Sequence, residues 1–149
     1  MKKKFFSKKE GRFLELGTGT GLSLAWMVEG MSENSNLISI DNSSEYQNIA
    51  KKYFQESNVS FVCEDAEKWI LNYKEEKFDL IFADAWPGKY VVLNETLNLL
   101  NSGGIYLIDD MLPQPNWPQN HDKNVEILIQ NLEERKDIQL TKICWSTGL

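Results

Sequence analysis

Phe13-Leu14-Glu15-Leu16-Gly17-Thr18-Gly19-Thr20-Gly21-Leu22-Ser23 decides how this chain is read. The first four residues form a run of strand length, apolar but for Glu15. Three alternate glycines then mark a tight turn, and Leu22 opens a helical pattern. A strand, turn and helix in this order bring bare backbone N–H groups and a helix N-terminus to one point, and the missing Cβ atoms let a ligand come close. The spacing is G-x-G-x-G, not the G-x-G-x-x-G of dinucleotide-binding turns. Glu15 puts a carboxylate at the C-terminal end of the strand, where it suits a ligand carrying an ammonium group better than a pyrophosphate. Both features disfavour an NAD(P)-dependent oxidoreductase.

Outward from this stretch, short apolar runs recur at residues 37–40, 59–63, 78–82 and 105–108, each of a length expected of buried strands. Between them lie stripes at helical spacing: Tyr46, Ile49, Ala50 and Tyr53; Ala66, Trp69, Ile70 and Tyr73; Leu93, Thr96, Leu97 and Leu100; Val125, Leu128, Ile129 and Leu132. The helix after the glycines is apolar on two faces, as a helix clamped tightly against a sheet would be. Asn42 with Glu45, Asp65 and Asp122 mark helix starts, and Gly103-Gly104 is expected to end the helix before the fifth strand. Residues 138–145 read as a sixth strand, followed by a hairpin turn at Ser146-Thr147-Gly148. Alternating strands and helices predict an α/β fold with a doubly wound, mostly parallel, Rossmann-like sheet covered by helices on both faces. Residues 1–149 read as a single domain.

A net charge of −6 argues against a nucleic-acid groove. Lys2, Lys3, Lys4, Lys8 and Lys9 read as a solvated terminus rather than a nucleic-acid arm. No apolar stretch follows them that could serve as a signal peptide, and no run approaches the ~20 residues of a membrane span. Cys63 and Cys144 lie in apolar runs and read as buried free thiols, which fits a reducing cytoplasm.

In a parallel sheet of this kind ligands bind at the carboxyl ends of the strands, near the point where the strand order reverses. Those ends carry Glu15 with the glycines, Asp41, Glu64-Asp65, Asp84 and Asp109-Asp110. Asp41 can accept both hydroxyls of a ribose, with Asn42 supplying the cap of the next helix. Asp65 can accept from an exocyclic adenine amine while Ala66 leaves room for the ring; it is equally suited to cap the helix that follows.

Taken in order, Glu15-Leu-Gly-Thr-Gly-Thr-Gly21, Ser39-Ile-Asp41, Glu64-Asp65-Ala66, Phe78-Asp-Leu-Ile-Phe-Ala-Asp84 and Ser102-Gly-Gly-Ile-Tyr-Leu-Ile-Asp109-Asp110 resemble successive motifs of the class I S-adenosylmethionine (SAM) dependent methyltransferases. The last two are most similar to small-molecule O-methyltransferases of the catechol and caffeoyl-CoA type. The resemblance implies SAM as methyl donor, held by Glu15, Gly17, Thr18, Gly19, Gly21, Ser23, Asp41, Asn42, Asp65, Ala66 and Asp84. The glycines would surround its methionine part, Asp41 the ribose and Asp65-Ala66 the adenine. It also implies a divalent metal at the positions of Asp84, Asp109 and Asp110, where the family's Asp-Asn pair is here Asp-Asp. Three oxygen ligands suit Mg²⁺ or Ca²⁺, and a metal would acidify an acceptor hydroxyl. In the alternative, Asp84 assists SAM binding while Asp109 or Asp110 caps a loop.

The family's general-base lysine falls at Pro87. Lys89 is displaced from it by two positions, and Tyr90 keeps the family's aromatic residue. The catalytic candidates are Asp84 and Lys89. In the Pro-rich segment 111–121, Trp117 together with Trp86 reads as an acceptor-pocket wall or as packing under a stiff loop, and His121 as a solvent-facing residue rather than a general base. The family's sheet ends with an antiparallel seventh strand; with the chain stopping at Leu149, the expected sheet lacks it, and an open edge favours association between copies. The expected function is SAM-dependent methylation of a small molecule at oxygen, with or without the help of a metal. The alternative is a non-catalytic or truncated domain of the same fold that at most binds SAM.

Overall fold

Five strands pair in the order β3-β2-β1-β4-β5, and every pair is parallel. In this computed structural model, which describes residues 10–55 and 57–149, the chain runs β1 (Arg12–Leu16), α1 (Leu22–Gly30), β2 (Asn36–Asp41), α2 (Ser44–Lys51), β3 (Val59–Cys63), α3 (Ala66–Asn72), β4 (Phe78–Ala83), α4 (Trp86–Lys89), α5 (Leu93–Leu97), β5 (Leu100–Ile108) and α6 (His121–Glu133). The basic stretch 1–9 lies outside the described residues. Among the described residues no helix is long and apolar enough to cross a membrane.

The side-chain alternation of a strand explains the layers. Leu14 and Leu16 of β1 pack with Ile40, Ile81 and Ala83 against Ala66 and Ile70 of α3. Phe13, Leu37 and Leu80 point the other way, against Leu24 and Met27 of α1. A strand buried on both faces must be apolar at successive positions, which is why β1 reads as a continuous run. On the α3 side, Ile108 of β5 receives Leu128 and Leu132 of α6. Strand order reverses at β1, which has β2 on one side and β4 on the other, so the crevice opens above the C-terminal ends of these three strands.

Several sequence expectations are corrected. Gly103-Gly104 does not end a helix. α5 stops at Leu97, and both glycines lie inside β5, where the register moves from Phe78↔Leu100 to Leu80↔Ile105, a bulge that glycine accommodates. Ser43, not Asn42, caps α2, its Oγ accepting from the Tyr46 amide at 3.3 Å. α6 starts at His121, one residue before Asp122.

The helix α1 packs on one face only: Leu22 and Trp26 are exposed, as are Tyr46, Ile49 and Tyr53 from the stripe expected on α2. Cys63 and Cys144 are free but exposed, Cys63 because β3 is an edge strand with only part of its surface covered. Residues 138–145 do not form a sixth strand. Their turn does form, with the Gly148 amide donating to Trp145 O at 2.9 Å, and Ile143 and Leu149 exchanging backbone bonds. The tail backbone is instead engaged by the segment after β5, through Met111 N to Gly148 O (3.2 Å) and Leu112 N to Thr147 O (2.7 Å).

Leu14 sits fully buried at the centre of this packing. Leu14→Ala is expected to lower the unfolding free energy by ~2–5 kcal/mol, measured by urea denaturation followed by circular dichroism; a loss below ~1 kcal/mol would mean that the core closes around the deletion.

Candidate functional site

The loop after β1 is held from both neighbouring strands. The amides of Gly17 and Thr18 donate to Ile40 O at 2.9 and 3.1 Å, and the Asp84 amide donates to Leu16 O at 2.9 Å. Gly17, at φ 104, lies so close to β4's exit that a Cβ would stand 2.9 Å from the carbonyl oxygen of Asp84. Gly21 backs onto Ala50 and Phe54 in the same way. Gly19 differs: at φ 50 its Cβ direction meets nothing within 4 Å. The loop is therefore packed tightly at both ends and open in the middle.

Asp41, at the end of β2, frames this opening. One carboxylate oxygen accepts the Gly19 amide at 2.8 Å and the other the Ser43 amide at 2.7 Å. It is not the uncommitted group that an Asn42 cap would have left, although each oxygen keeps a further lone pair. Asn42 beside it is exposed. At the end of β3, Asp65 caps α3 by accepting the Lys68 amide at 3.0 Å, and Ala66 is buried beneath it.

Glu15 lies under the loop with 0% exposure, so its carboxylate does not reach the surface where a ligand's ammonium group would meet it. Strand register explains its partners: Glu15 and Ser39 are opposite each other on β1 and β2, on the α1 side of the sheet. Ser39 donates to Oε2 at 2.5 Å, and Ser23 of α1 donates to Oε1 at 2.7 Å. The chain continues through Thr18 Oγ1 to Ser39 Oγ (2.6 Å) and Gln47 Nε2 to Thr18 Oγ1 (3.3 Å). Desolvation dominates over these hydrogen bonds and pushes the Glu15 carboxyl up to about 7. Ser39 and Gln47 were missed from sequence. The signal was a polar residue at an inward position of an otherwise apolar strand, and a glutamine in the apolar stripe of α2.

The remaining acidic strand ends meet a lysine. Lys89 is 5% exposed; its Nζ donates to Asp109 O at 2.6 Å and lies 3.6 Å from Asp84 Oδ1. Burial raises the Asp84 carboxyl, against the pull of Lys89, and lowers the Lys89 ammonium, against the pull of Asp84. The Asp109 carboxylate is committed locally, Oδ1 accepting the Asp110 amide and the Thr147 hydroxyl, both at 2.7 Å. Asp110, at φ 64, accepts Trp117 Nε1 at 3.3 Å. Among the described residues no group of three or more His, Cys, Asp and Glu side chains is arranged to hold a metal ion. Thr147 carried no sequence signal because it approaches Asp109 from 38 residues away.

Beside Lys89 the aromatic residues gather. His121 is buried, not solvent-facing, with Trp86, Tyr90 and Trp117 around its ring at centroid distances of 5.7, 5.4 and 4.5 Å. Its Nε2 is 3.1 Å from the Tyr90 hydroxyl, and its Nδ1 is buried without a partner. A groove of about 510 Å³ runs from Lys89 and Tyr90 between α5 and α6, away from the glycine loop.

The sequence model of a family described as O-methyltransferase matches residues 6–143. The chain belongs to the O-methyltransferase family. A provisionally named O-methyltransferase of Mycolicibacterium vanbaalenii is 34% identical over 101 residues, covering 64% of this chain and 45% of the relative. One from Mycolicibacterium smegmatis is 35% identical over 103 residues, covering 64% and 48%. The chain thus spans less than half the length of these O-methyltransferase relatives. Among solved structures, an O-methyltransferase of Bacillus cereus in complex with S-adenosylhomocysteine superposes with a TM-score of 0.73 at 21% identity, covering 89% of this chain and 66% of that one. A Streptomyces achromogenes O-methyltransferase involved in tomaymycin synthesis, in complex with SAM, gives 0.73 at 23% identity, covering 89% and 65%. At these identities the likeness is one of fold, and it extends over nearly all of this chain.

The Glu15 carboxyl titrates at about 7 in the folded chain, against an ordinary 4.5 when unfolded. Between the two values the folded state binds more protons, so Glu15's contribution to stability is full below the lower value and is lost as pH rises through the upper one. The unfolding free energy is expected to fall by at least ~1 kcal/mol across that window, and Glu15→Gln to remove most of the fall. Urea unfolding curves at about pH 5 and about pH 8 measure both; a fall unchanged in the variant would assign it to other groups.

Proposed function

We propose that this chain binds SAM at the glycine loop and transfers its methyl group to a hydroxyl of a small molecule. The observation that carries the reading is the loop itself, closed against Asp84 and Ile40 at its base and open at Gly19 beside Asp41. Membership of the O-methyltransferase family supports the same reading. In it, Gly17, Thr18, Gly19 and Gly21 take the methionine part, Asp41 and Asn42 the ribose, and Asp65 and Ala66 the adenine. Glu15 and Ser23 hold the loop from below. When bound, SAM supplies a methyl group on a positively charged sulfur.

The chain's own contribution is placement. Asp84, partly exposed at the mouth of the crevice, is poised to accept the acceptor's proton, its carboxyl raised by partial desolvation against the pull of Lys89. Lys89 offers an N–H⁺ donor to the developing oxyanion, and Trp86 and Trp117 wall the acceptor. Lys89 supplies positive charge to Asp84 and to the carbonyl of Asp109 without Mg²⁺ or Ca²⁺. The reaction is assigned to the cytoplasm, supported by two exposed cysteines that are free.

Calorimetric titration of the folded chain with S-adenosylhomocysteine is expected to give micromolar binding, and Asp41→Ala to weaken it by at least ~1 kcal/mol. Absence of binding by a folded chain would favour the non-catalytic alternative. Unchanged affinity in Asp41→Ala would remove the ribose assignment alone.

A further inference from the structure

Lys89 reaches the strand ends by a route that its place in the sequence conceals. Residues Trp86–Lys89 are not a regular helix: Pro87 has ψ 136 and Gly88 φ 88, so the chain reverses between them. The turn is tightly fixed. The Tyr106 hydroxyl donates to Gly88 O at 2.5 Å, the Gly88 amide donates to Val91 O at 2.9 Å, and a Cβ on Gly88 would stand 2.7 Å from Leu16 Cδ1. The next residue is thereby delivered inward. The butylammonium of Lys89 is buried, with its nitrogen 2.6 Å from the carbonyl oxygen of Asp109 and 3.6 Å from Asp84 Oδ1, and the carboxylates of Asp109 and Asp110 also act on its charge.

A divalent cation placed among these three carboxylates would compete for Asp84 Oδ1, which Lys89 faces at 3.6 Å, and would meet the positive charge of that ammonium close by. Two carboxylate oxygens are also taken by other donors: Asp109 Oδ1 by the Thr147 hydroxyl and the Asp110 amide, and Asp110 Oδ2 by the Trp117 indole. A compact ammonium with three donors, by contrast, satisfies a carbonyl and a carboxylate without a coordination shell.

We infer that Lys89 is a built-in cation at the position where the metal implied by the family resemblance would lie, and that this chain neither needs nor tightly binds a divalent ion there. The inference rests on the proposed function for what the charge does, but not for whether the position is taken. An acceptor would then be held by a single charge-assisted hydrogen bond from Lys89, without chelation of two oxygens.

Mn²⁺, which prefers carboxylate ligands, is the probe, titrated into the 149-residue chain and followed by electron paramagnetic resonance with no adenosyl ligand or acceptor present. The parent is expected to show no binding tighter than ~1 mM, and folded Lys89→Ala to bind at least ~10-fold more tightly. That gain should vanish when Asp84→Asn is added, whereas Lys89→Arg should stay like the parent. Binding by the parent tighter than ~1 mM, no gain in a folded Lys89→Ala, or a gain that survives Asp84→Asn would each overturn the inference. Should Lys89→Ala not fold, the same comparison is made with Lys89→Met, and the parent titration decides by itself in one direction. Because no methyl donor is present, these outcomes are independent of whether the chain transfers methyl groups.

Discussion

A carboxylate with no access to water has to be solvated by the protein around it, and the Glu15 side chain imposes that requirement on three elements at once. Ser39 answers from β2, Ser23 from α1, and Thr18 and Gln47 extend the chain of donors to the glycine loop and α2. The strand register that puts Ser39 opposite Glu15 is also the register that brings Asp41 to Gly19. One buried charge site therefore fixes the relative height of β1, β2 and α1, and with it the shape of the opening above them. The raised protonation range of Glu15 measures how far burial outweighs the donors supplied.

The second half of the site follows different physics. Here the decisive element is a backbone reversal in which proline sets one dihedral angle and glycine supplies the left-handed one. Its product is a lysine aimed at the strand ends instead of an exposed helix-start lysine. The site accordingly divides into a hydroxyl-lined side under the glycine loop and a charged side where one cation serves several oxygens.

The alternation of strands and helices, and with it the parallel sheet, was legible because it depends on local periodicity and on the burial of β1 from both sides. The glycine turn was legible because only glycine tolerates the close approach at Gly17. What escaped had non-local causes. His121 is buried by aromatic residues contributed from two separate segments, and residues 138–145 stay out of the sheet, with Ile143 exchanging backbone bonds with Leu149 of the chain's own end. The three carboxylates Asp84, Asp109 and Asp110 were visible as strand-end residues, but the Lys89 geometry depends on the Pro87-Gly88 turn, whose direction is not written in side-chain pattern. Gly103-Gly104 shows the same ambiguity: a helix stop and a bulge use identical residues for the same backbone freedom.

The hydroxyl of Thr147 ties the tail to the acidic end of β5. This makes the tail a mechanical leash on the site: its turn, the segment after β5 and the Asp109 side chain form one hydrogen-bonded ring. Pulling on residues near Leu149, or docking a surface against them, would be transmitted to Asp109 through only a few bonds. From there it would reach the lysine that Asp109 holds by its carbonyl. An attachment at that end of the chain is thus a handle on the Lys89 side of the crevice, while the same attachment would leave the glycine loop, anchored from β2 and β4, at rest.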